Sequence, residues 1–270
     1  MHVIGRRPDG YHLLESLVVF TRFGDRIDLT SADRDSISID GQFGHGLSLD
    51  DDNLVAQARN ALRNAVGRRQ AAVQIHLEKR LPIASGVGGG SSDAAATLKG
   101  LNRLWRSGMS DVELAGIGLK LGADVPMCLN SSSLIARGVG ERIEPVRLPE
   151  LPIVLVNPGV AISTPSIFRA LSRADHAPLA PLLRFAELEQ LVAWLEAARN
   201  DLQPPAIALA PPIGEALAAL TASGSSFARM SGSGATCFGL FQRHDDAAKA
   251  AAALRRARPQ WFVVATSTLS

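Results

Sequence analysis

The sequence predicts an α+β fold divided into two domains, on three observations. The chain has 270 residues, enough for two medium-sized cores. Strand-like and helix-like stretches are mixed in both halves without strict alternation, which argues against a single parallel sheet. The texture changes across Pro145 to Leu151, where one strand leads into a run of helical segments, so the division is placed at 1–147 and 148–270.

In chain order, LLESLVVFTRF (13–23) is apolar and β-branched, DRIDLTS (25–31) alternates like a half-buried strand, and SISID (36–40) is a weaker third. DNLVAQARNALRNAVG (52–67) places Leu54, Val55, Ala58, Leu62 and Val66 at helical spacing, with Gly67 as a stop. AAVQIHLEK (71–79) alternates Val73, Ile75 and Leu77 as a strand. A glycine-rich loop follows, then a helix from Ser91 to about Trp105. SDVELAGIGLKLG (110–122) opens with Ser110 and Glu113, a reciprocal cap for the free N–H groups at a helix start. DVPMCLN (124–130) reads as a loop leading into the strand SSLIARG (132–138).

LPIVLVNPG (151–159) is a short buried strand. Helices TPSIFRALS (164–172), AELEQLVAWLEAARN (186–200) and PPIGEALAALTASG (211–224) follow, then strands SSFARMS (225–231) and ATCFGLFQ (235–242). Helix DDAAKAAAALRRA (245–257) and strand QWFVVATS (260–267) close the chain. Thr164 before Pro165 suits an N-cap with proline in the first turn, where its missing N–H costs nothing.

Lys plus Arg number 28 against 26 Asp plus Glu, a balance that points to neither nucleic acid nor a membrane surface as partner. The basic pairs Arg68-Arg69, Lys79-Arg80 and Arg255-Arg256 read as solvated element ends. Lys79 has a rival reading as a phosphate contact, because it precedes the glycine loop. Cys128 and Cys237 lie far apart in apolar surroundings, which predicts buried free thiols in a reducing compartment. No Cys or His spacing suits a metal cage. No run approaches the ~20 apolar residues that span a bilayer, and the start has no signal layout, so a soluble cytoplasmic protein is expected, as monomer or homodimer.

The chemistry concentrates in PIASGVGGGSSDAAA, Pro82 to Ala96. One or two glycines would make a flexible turn. Gly86, Gly88, Gly89 and Gly90 running straight into Ser91, Ser92 and a helix instead describe bare amides at a helix N-terminus, where unpaired donors and the helix dipole favour an anion such as phosphate. The Walker pattern fails because Ser91-Ser92-Asp93 stand where Gly-Lys-Ser/Thr belongs. The dinucleotide pattern fails because Ser91 replaces its last glycine. Asp124 in GADVP is either a general base or an ordinary turn cap; composition does not separate the two.

The loop closely resembles the Pro-x-x-x-Gly-Leu-Gly-Ser-Ser-Ala motif of the GHMP kinases, a superfamily of ATP-dependent small-molecule kinases. RRPDGYHLLESL, LGADVPMCL and RMSGSGATCFGLF, with DDNLV, GVGE, NPG, STPSIF and NDL in the same order, narrow the resemblance to its isoprenoid-precursor branch. That branch phosphorylates the 2-hydroxyl of 4-diphosphocytidyl-2-C-methyl-D-erythritol. The resemblance implies a two-domain kinase fold, with an N-terminal domain shared with a ribosomal-protein domain and a ferredoxin-like C-terminal domain. It implies ATP with Mg2+ as the phosphoryl donor.

On that resemblance Pro82, Ile83, Ala84, Ser85 and Gly86 lead into the phosphate turn, and Val87, Gly88, Gly89, Gly90, Ser91 and Ser92 carry it to the helix. Asp124 would take the proton of the attacking hydroxyl. Tyr11 and His12 would lie against the cytidine, stacking on the base and bonding its edge. Phe168 would offer an opposing aromatic face, or is a core phenylalanine. Thr164 is an N-cap, a substrate contact or both. Asn53 and Lys79 would serve the adenine side, although a helix cap alone would explain Asn53. Gly232 and Gly234 permit close backbone approach near the substrate diphosphate, or form a plain hairpin turn.

The resembled kinases also carry a preceding Ala-Lys-(Ile/Leu)-Asn-Leu strand, whose Lys sits beside the catalytic Asp. This sequence opens at Met1-His2-Val3-Ile4-Gly5, inside the second strand of that pattern. The expectation is an unpaired neighbouring strand and nucleotide binding with slow turnover. Three other functions stay open: a homoserine-kinase-like enzyme, a non-catalytic nucleotide-binding module, and an RNA-binding protein, the last disfavoured by the charge balance.

Overall fold

The computed structural model describes residues 1–49, 52–67, 70–182, 185 and 187–269; the Arg68-Arg69 pair lies outside them. The first part of the chain runs β1 (His2–Arg6), β2 (His12–Val18), β3 (Arg26–Ala32), β4 (Ser36–Asp40), α1 (Leu54–Val66), β5 (Ala72–Glu78), α2 (Gly89–Leu104), α3 (Asp111–Leu121) and α4 (Val125–Asn130). It continues through β6 (Leu134–Gly138), β7 (Arg142–Pro145), β8 (Pro152–Asn157), α5 (Thr164–Arg169), α6 (Leu188–Ala197) and α7 (Gln203–Leu209). Last come α8 (Pro212–Ala222), β9 (Phe227–Met230), β10 (Cys237–Leu240), α9 (His244–Ala257) and β11 (Phe262–Ser267). No single described helix is long and apolar enough to cross a membrane.

Contacts group the chain into two compact units. One comprises Met1–Phe23, Ala84–Val87 and Ser132–Ser270, the other Gly24–Ile83 and Gly88–Ser131. This grouping is interleaved in sequence, whereas a division at 147/148 follows chain order.

The first unit holds two four-stranded sheets, ordered β1-β2-β6-β7 and β11-β8-β10-β9. In the former, Glu15 on β2 lies opposite Arg137 on β6. That buried carboxylate pairs with the guanidinium and accepts the Leu179 N–H at 2.6 Å. β8 is buried at every residue, as its unbroken apolar run PIVLV requires. Val154, Val156, Ile167, Leu202, Ile213 and Phe241 build the core around it.

The second unit is a three-stranded sheet, β3-β5-β4, with β5 antiparallel to β3 and parallel to β4. Val73, Ile75 and Leu77 bury one face of β5, fulfilling the period-2 reading. Helix α2 repeats Ala94, Leu98 and Leu101 on its buried side, and α1 contributes Val55, Ala58 and Leu62. α3 approaches α4 closely at Gly118, where a Cβ would lie 2.9 Å from Val125 Cγ1.

DVPMCLN is helix α4 rather than a loop. Pro126 sits in its first turn, where no N–H is needed, so it does not break the helix. α7, which the sequence reading did not include, likewise has Pro204 and Pro205 in its opening turn. Thr164 is the first residue of α5, and the N-cap is Ser163, one position earlier. Cys128 and Cys237 are both buried free thiols.

The reciprocal cap of α3 is present, with Glu113 N–H on Ser110 Oγ at 3.3 Å and Ser110 N–H on Glu113 Oε2 at 2.8 Å. Ser110→Ala should cost about 1 kcal/mol, measured as a lower urea midpoint at unchanged catalytic rate.

Candidate active site

Helix α2 opens at Gly88, which takes the left-handed conformation at φ +68° as N-cap, with no side chain capping the helix. A Cβ there would meet nothing within 4 Å, so backbone angle rather than space selects glycine. The amides of Gly89, Gly90 and Ser91 have no intrahelical acceptor by the geometry of a first turn. Three aligned donors at the positive end of a 16-residue helix make an anion site. Pro82 and the half-exposed Ile83 end the preceding stretch of this unit.

Beneath the first turn of α2 lies a buried ion cluster. Lys79, 4% exposed, directs its ammonium at Asp93 Oδ2 (2.8 Å) and at Asp25 Oδ2. The other oxygen of Asp25 accepts the amides of Arg80 (2.7 Å) and Leu81 (2.8 Å). A Cβ on Gly89 would lie 3.3 Å from Lys79 Nζ and 3.4 Å from Asp25 Oδ2, so the helix start rests directly on the cluster. Burial alone would lower the Lys79 pKa, but the Asp93 and Asp25 carboxylates outweigh it and raise it. Burial, with Asp25 alongside, raises the Asp93 carboxyl to about 6 against the pull of Lys79.

This corrects the expectation for Lys79. Its ammonium, read as one end of a solvated strand, is the buried counter-ion of two carboxylates, and that pairing accounts for the side chain without a ligand. Asn53 is the α1 N-cap: Oδ1 accepts the Val55 N–H at 2.9 Å and Nδ2 donates to Ser48 O at 2.9 Å. The cap accounts for it without a ligand.

Asp124 stands at the N-cap of α4 but makes no side-chain cap bond. Among the described residues its carboxylate has no hydrogen-bond or ion-pair partner. Desolvation by the surrounding protein raises its pKa above the ordinary carboxylate value, although the residue as a whole is exposed. An unpaired carboxylate with raised proton affinity suits a general base. Ser92 Oγ donates to Cys128 Sγ at 3.5 Å, and burial pushes the Cys128 thiol up to about 11, so this thiol is no nucleophile at neutral pH.

The first unit contains loop residues Ala84 to Val87. Gly86 has φ +76°, and a Cβ there would lie 2.6 Å from the backbone of Ser231 and of Gly234. Ser231 Oγ donates to Gly86 O at 2.9 Å, and Thr236 N–H to Ser85 O at 3.1 Å. A Cβ on Gly232 would lie 2.8 Å from Gly86 O, so this glycine packs on the loop itself, whereas a Cβ on Gly234 would meet Met230 Sδ at 2.7 Å. Ala84 also has positive φ, +50°.

Tyr11 is 66% exposed at the tip of the β1–β2 hairpin, where its N–H bonds Asp9 Oδ1 at 3.2 Å. His12 stacks directly on Phe168, with ring centroids 4.7 Å apart and planes inclined by 24°. That spacing is a single ring contact. Phe168 therefore backs His12. Burial and then the Arg6 charge lower the His12 pKa, favouring the neutral ring. Thr164 Oγ1 and Ser233 Oγ share a hydrogen bond of 2.8 Å.

The residues missed in the sequence are Asp25, Asp93 and Ser231. Asp25 follows Gly24 at a strand start and Asp93 follows two loop serines, and nothing local pairs either with Lys79.

Two family models match the chain: the GHMP kinases N terminal domain over residues 53–132 and the GHMP kinases C terminal domain over 167–260. A 4-diphosphocytidyl-2-C-methyl-D-erythritol kinase of Mesorhizobium japonicum is 54% identical over 272 residues, spanning 100% of this chain and 92% of its own length. The kinase of the same name from Brucella melitensis is 51% identical, spanning 98% and 90%. The crystal structure of a 4-(cytidine 5'-diphospho)-2C-methyl-D-erythritol kinase superposes with a TM-score of 0.82 at 35% identity, covering 100% of this chain and 95% of its own. A homoserine kinase from Cytophaga hutchinsonii gives 0.68 at 18% identity, covering 96% and 88%, a likeness of fold alone.

Lys79→Met would leave two buried carboxylates facing each other, at a cost of about 3–5 kcal/mol. Acid should recover part of it by protonating Asp93. In the wild type, the Asp93 pKa is raised from 3.8 to about 6, so its contribution is full below 3.8 and lost as pH climbs through about 6. Asp93→Asn escapes that loss, so wild-type urea midpoints should fall relative to the variant from about pH 4 to 7. Parallel pH profiles would contradict the assignment.

Proposed function

The chain belongs to the GHMP kinases, and from that premise we propose that it transfers the γ-phosphoryl group of ATP to the 2-hydroxyl of 4-diphosphocytidyl-2-C-methyl-D-erythritol. The observation that carries this is full-length identity above half with kinases of that name, supported by an uncapped helix start and an unpaired carboxylate in one unit.

Phosphoryl transfer requires charge stabilisation, alignment and a group that orients or deprotonates the attacking hydroxyl. The amides of Gly89, Gly90 and Ser91 meet the first need, holding phosphate oxygens at the positive end of α2. Asp124 meets the last. It accepts the proton of the 2-hydroxyl while that oxygen bonds to the γ-phosphorus. The bond from phosphorus to the β,γ-bridging oxygen breaks, and ADP leaves with the electron pair.

Magnesium enters as the ATP complex. The Ser92 hydroxyl fits as a ligand, since its bond to a thiol leaves both oxygen lone pairs free. When bound, the ion neutralises phosphate charge. On the acceptor side, the exposed Tyr11 ring offers a stacking face to cytosine, and neutral His12, braced by Phe168, offers one donor and one acceptor to its edge. Thr164 is a further polar contact available to the acceptor.

An ADP-release assay with 4-diphosphocytidyl-2-C-methyl-D-erythritol and homoserine as alternative acceptors tests the reading; turnover with homoserine alone would overturn it. Asp124→Asn should lower kcat by about 10²–10⁴-fold while leaving the affinity for an ATP analogue unchanged. Because the Asp124 pKa is raised, wild-type kcat/KM should fall toward acid at a pH above the ordinary carboxylate range, a limb the variant lacks.

A further inference from the structure

Asn200 lies in none of the groups assigned so far, yet it is 7% exposed and uses its whole amide. Nδ2 donates to Met230 O at 2.9 Å and to Gly232 O at 2.8 Å, and Oδ1 accepts the Leu202 N–H at 3.1 Å. Both donors meet carbonyls and the acceptor meets an N–H, so this network admits only one orientation of the amide. Gln203 Oε1 adds a bond to the Met230 N–H at 2.9 Å. Asn200 thereby ties the end of β9 to the turn that follows it.

That turn is the segment against which Gly86 packs. Within it, Gly234 N–H bonds Ser231 O at 2.8 Å and Ser231 N–H bonds Thr236 O at 2.8 Å. From it, Ser231 Oγ and Thr236 N–H reach the carbonyls of Gly86 and Ser85. A trans peptide directs its C=O and N–H to opposite sides. Anchoring the carbonyls of Ser85 and Gly86 therefore turns the N–H groups of Gly86 and Val87 away from the turn. Among the described residues neither N–H has an acceptor.

We propose that Asn200 is a positioning residue for nucleotide binding. It fixes the Ser231–Gly234 turn, and the turn aims the Gly86 and Val87 amides for phosphate oxygens. This rests on the reading that the glycine loop holds ATP.

The test is calorimetric binding of magnesium AMP-PNP to the wild type, Asn200→Ala, Ser231→Ala and the double variant, with KM for both substrates. Each single substitution should weaken analogue binding about tenfold while the acceptor KM stays within about twofold. The double variant should bind about as weakly as the poorer single one, because both act through the same turn. Ser231→Ala removes one hydroxyl and keeps the test intact if Asn200→Ala fails to fold. Wild-type affinity in a folded single variant, equal rises in both KM values, or additive losses would overturn the proposal. Analogue binding does not involve the acceptor. A wild type that binds the analogue but ignores the cytidine substrate would refute the assigned reaction alone, whereas one that binds no analogue would refute both.

Discussion

A single buried ammonium organises the end of the second unit that bears the anion site. Lys79 follows β5, Asp25 precedes β3, and Asp93 lies in α2, so one cluster joins three segments. Removing such a cation from water is costly unless the geometry is good and the leftover lone pairs are used. Here the Arg80 and Leu81 amides occupy the second Asp25 oxygen. The cluster ties the first turn of the helix to the segments beside β3 and β5, and that turn carries the amides proposed to hold phosphate. A side chain at Gly89 would press on Lys79 and Asp25.

The glycines of the loop answer different constraints although they look alike in the sequence. Gly86 lacks a side chain because the backbone of Ser231 and Gly234 fills the space a Cβ would need. Gly88 has ample room and is required instead for its left-handed backbone. In the second unit the ion cluster supports the start of α2, and in the first unit bonds to the Ser85 and Gly86 carbonyls hold the loop. Its amides are left for a ligand.

Much of this was legible in the sequence, for identifiable reasons. Period-2 burial at Val73, Ile75 and Leu77 and the Ser110–Glu113 cap are local signals, and they survive folding unchanged. The uncapped start of α2 was legible because bare amides before a helix are also local. Long-range partners were not. Lys79 is 54 residues from Asp25, and Gly86 is 145 from Ser231, so neither partner shows in a sequence window. α4 and α7 are short helices of six and seven residues with proline in the opening turn, too brief to show a helical period. The His12–Phe168 stack likewise joins residues far apart in the chain.

The most direct test of the central claim is a crystal structure with magnesium AMP-PNP bound. The account predicts phosphate oxygens within hydrogen-bonding distance, about 2.9 Å, of the Gly89, Gly90 and Ser91 amides, with Lys79 still between Asp25 and Asp93. A triphosphate seated elsewhere, or Lys79 released from its carboxylates to bind it, would contradict the account.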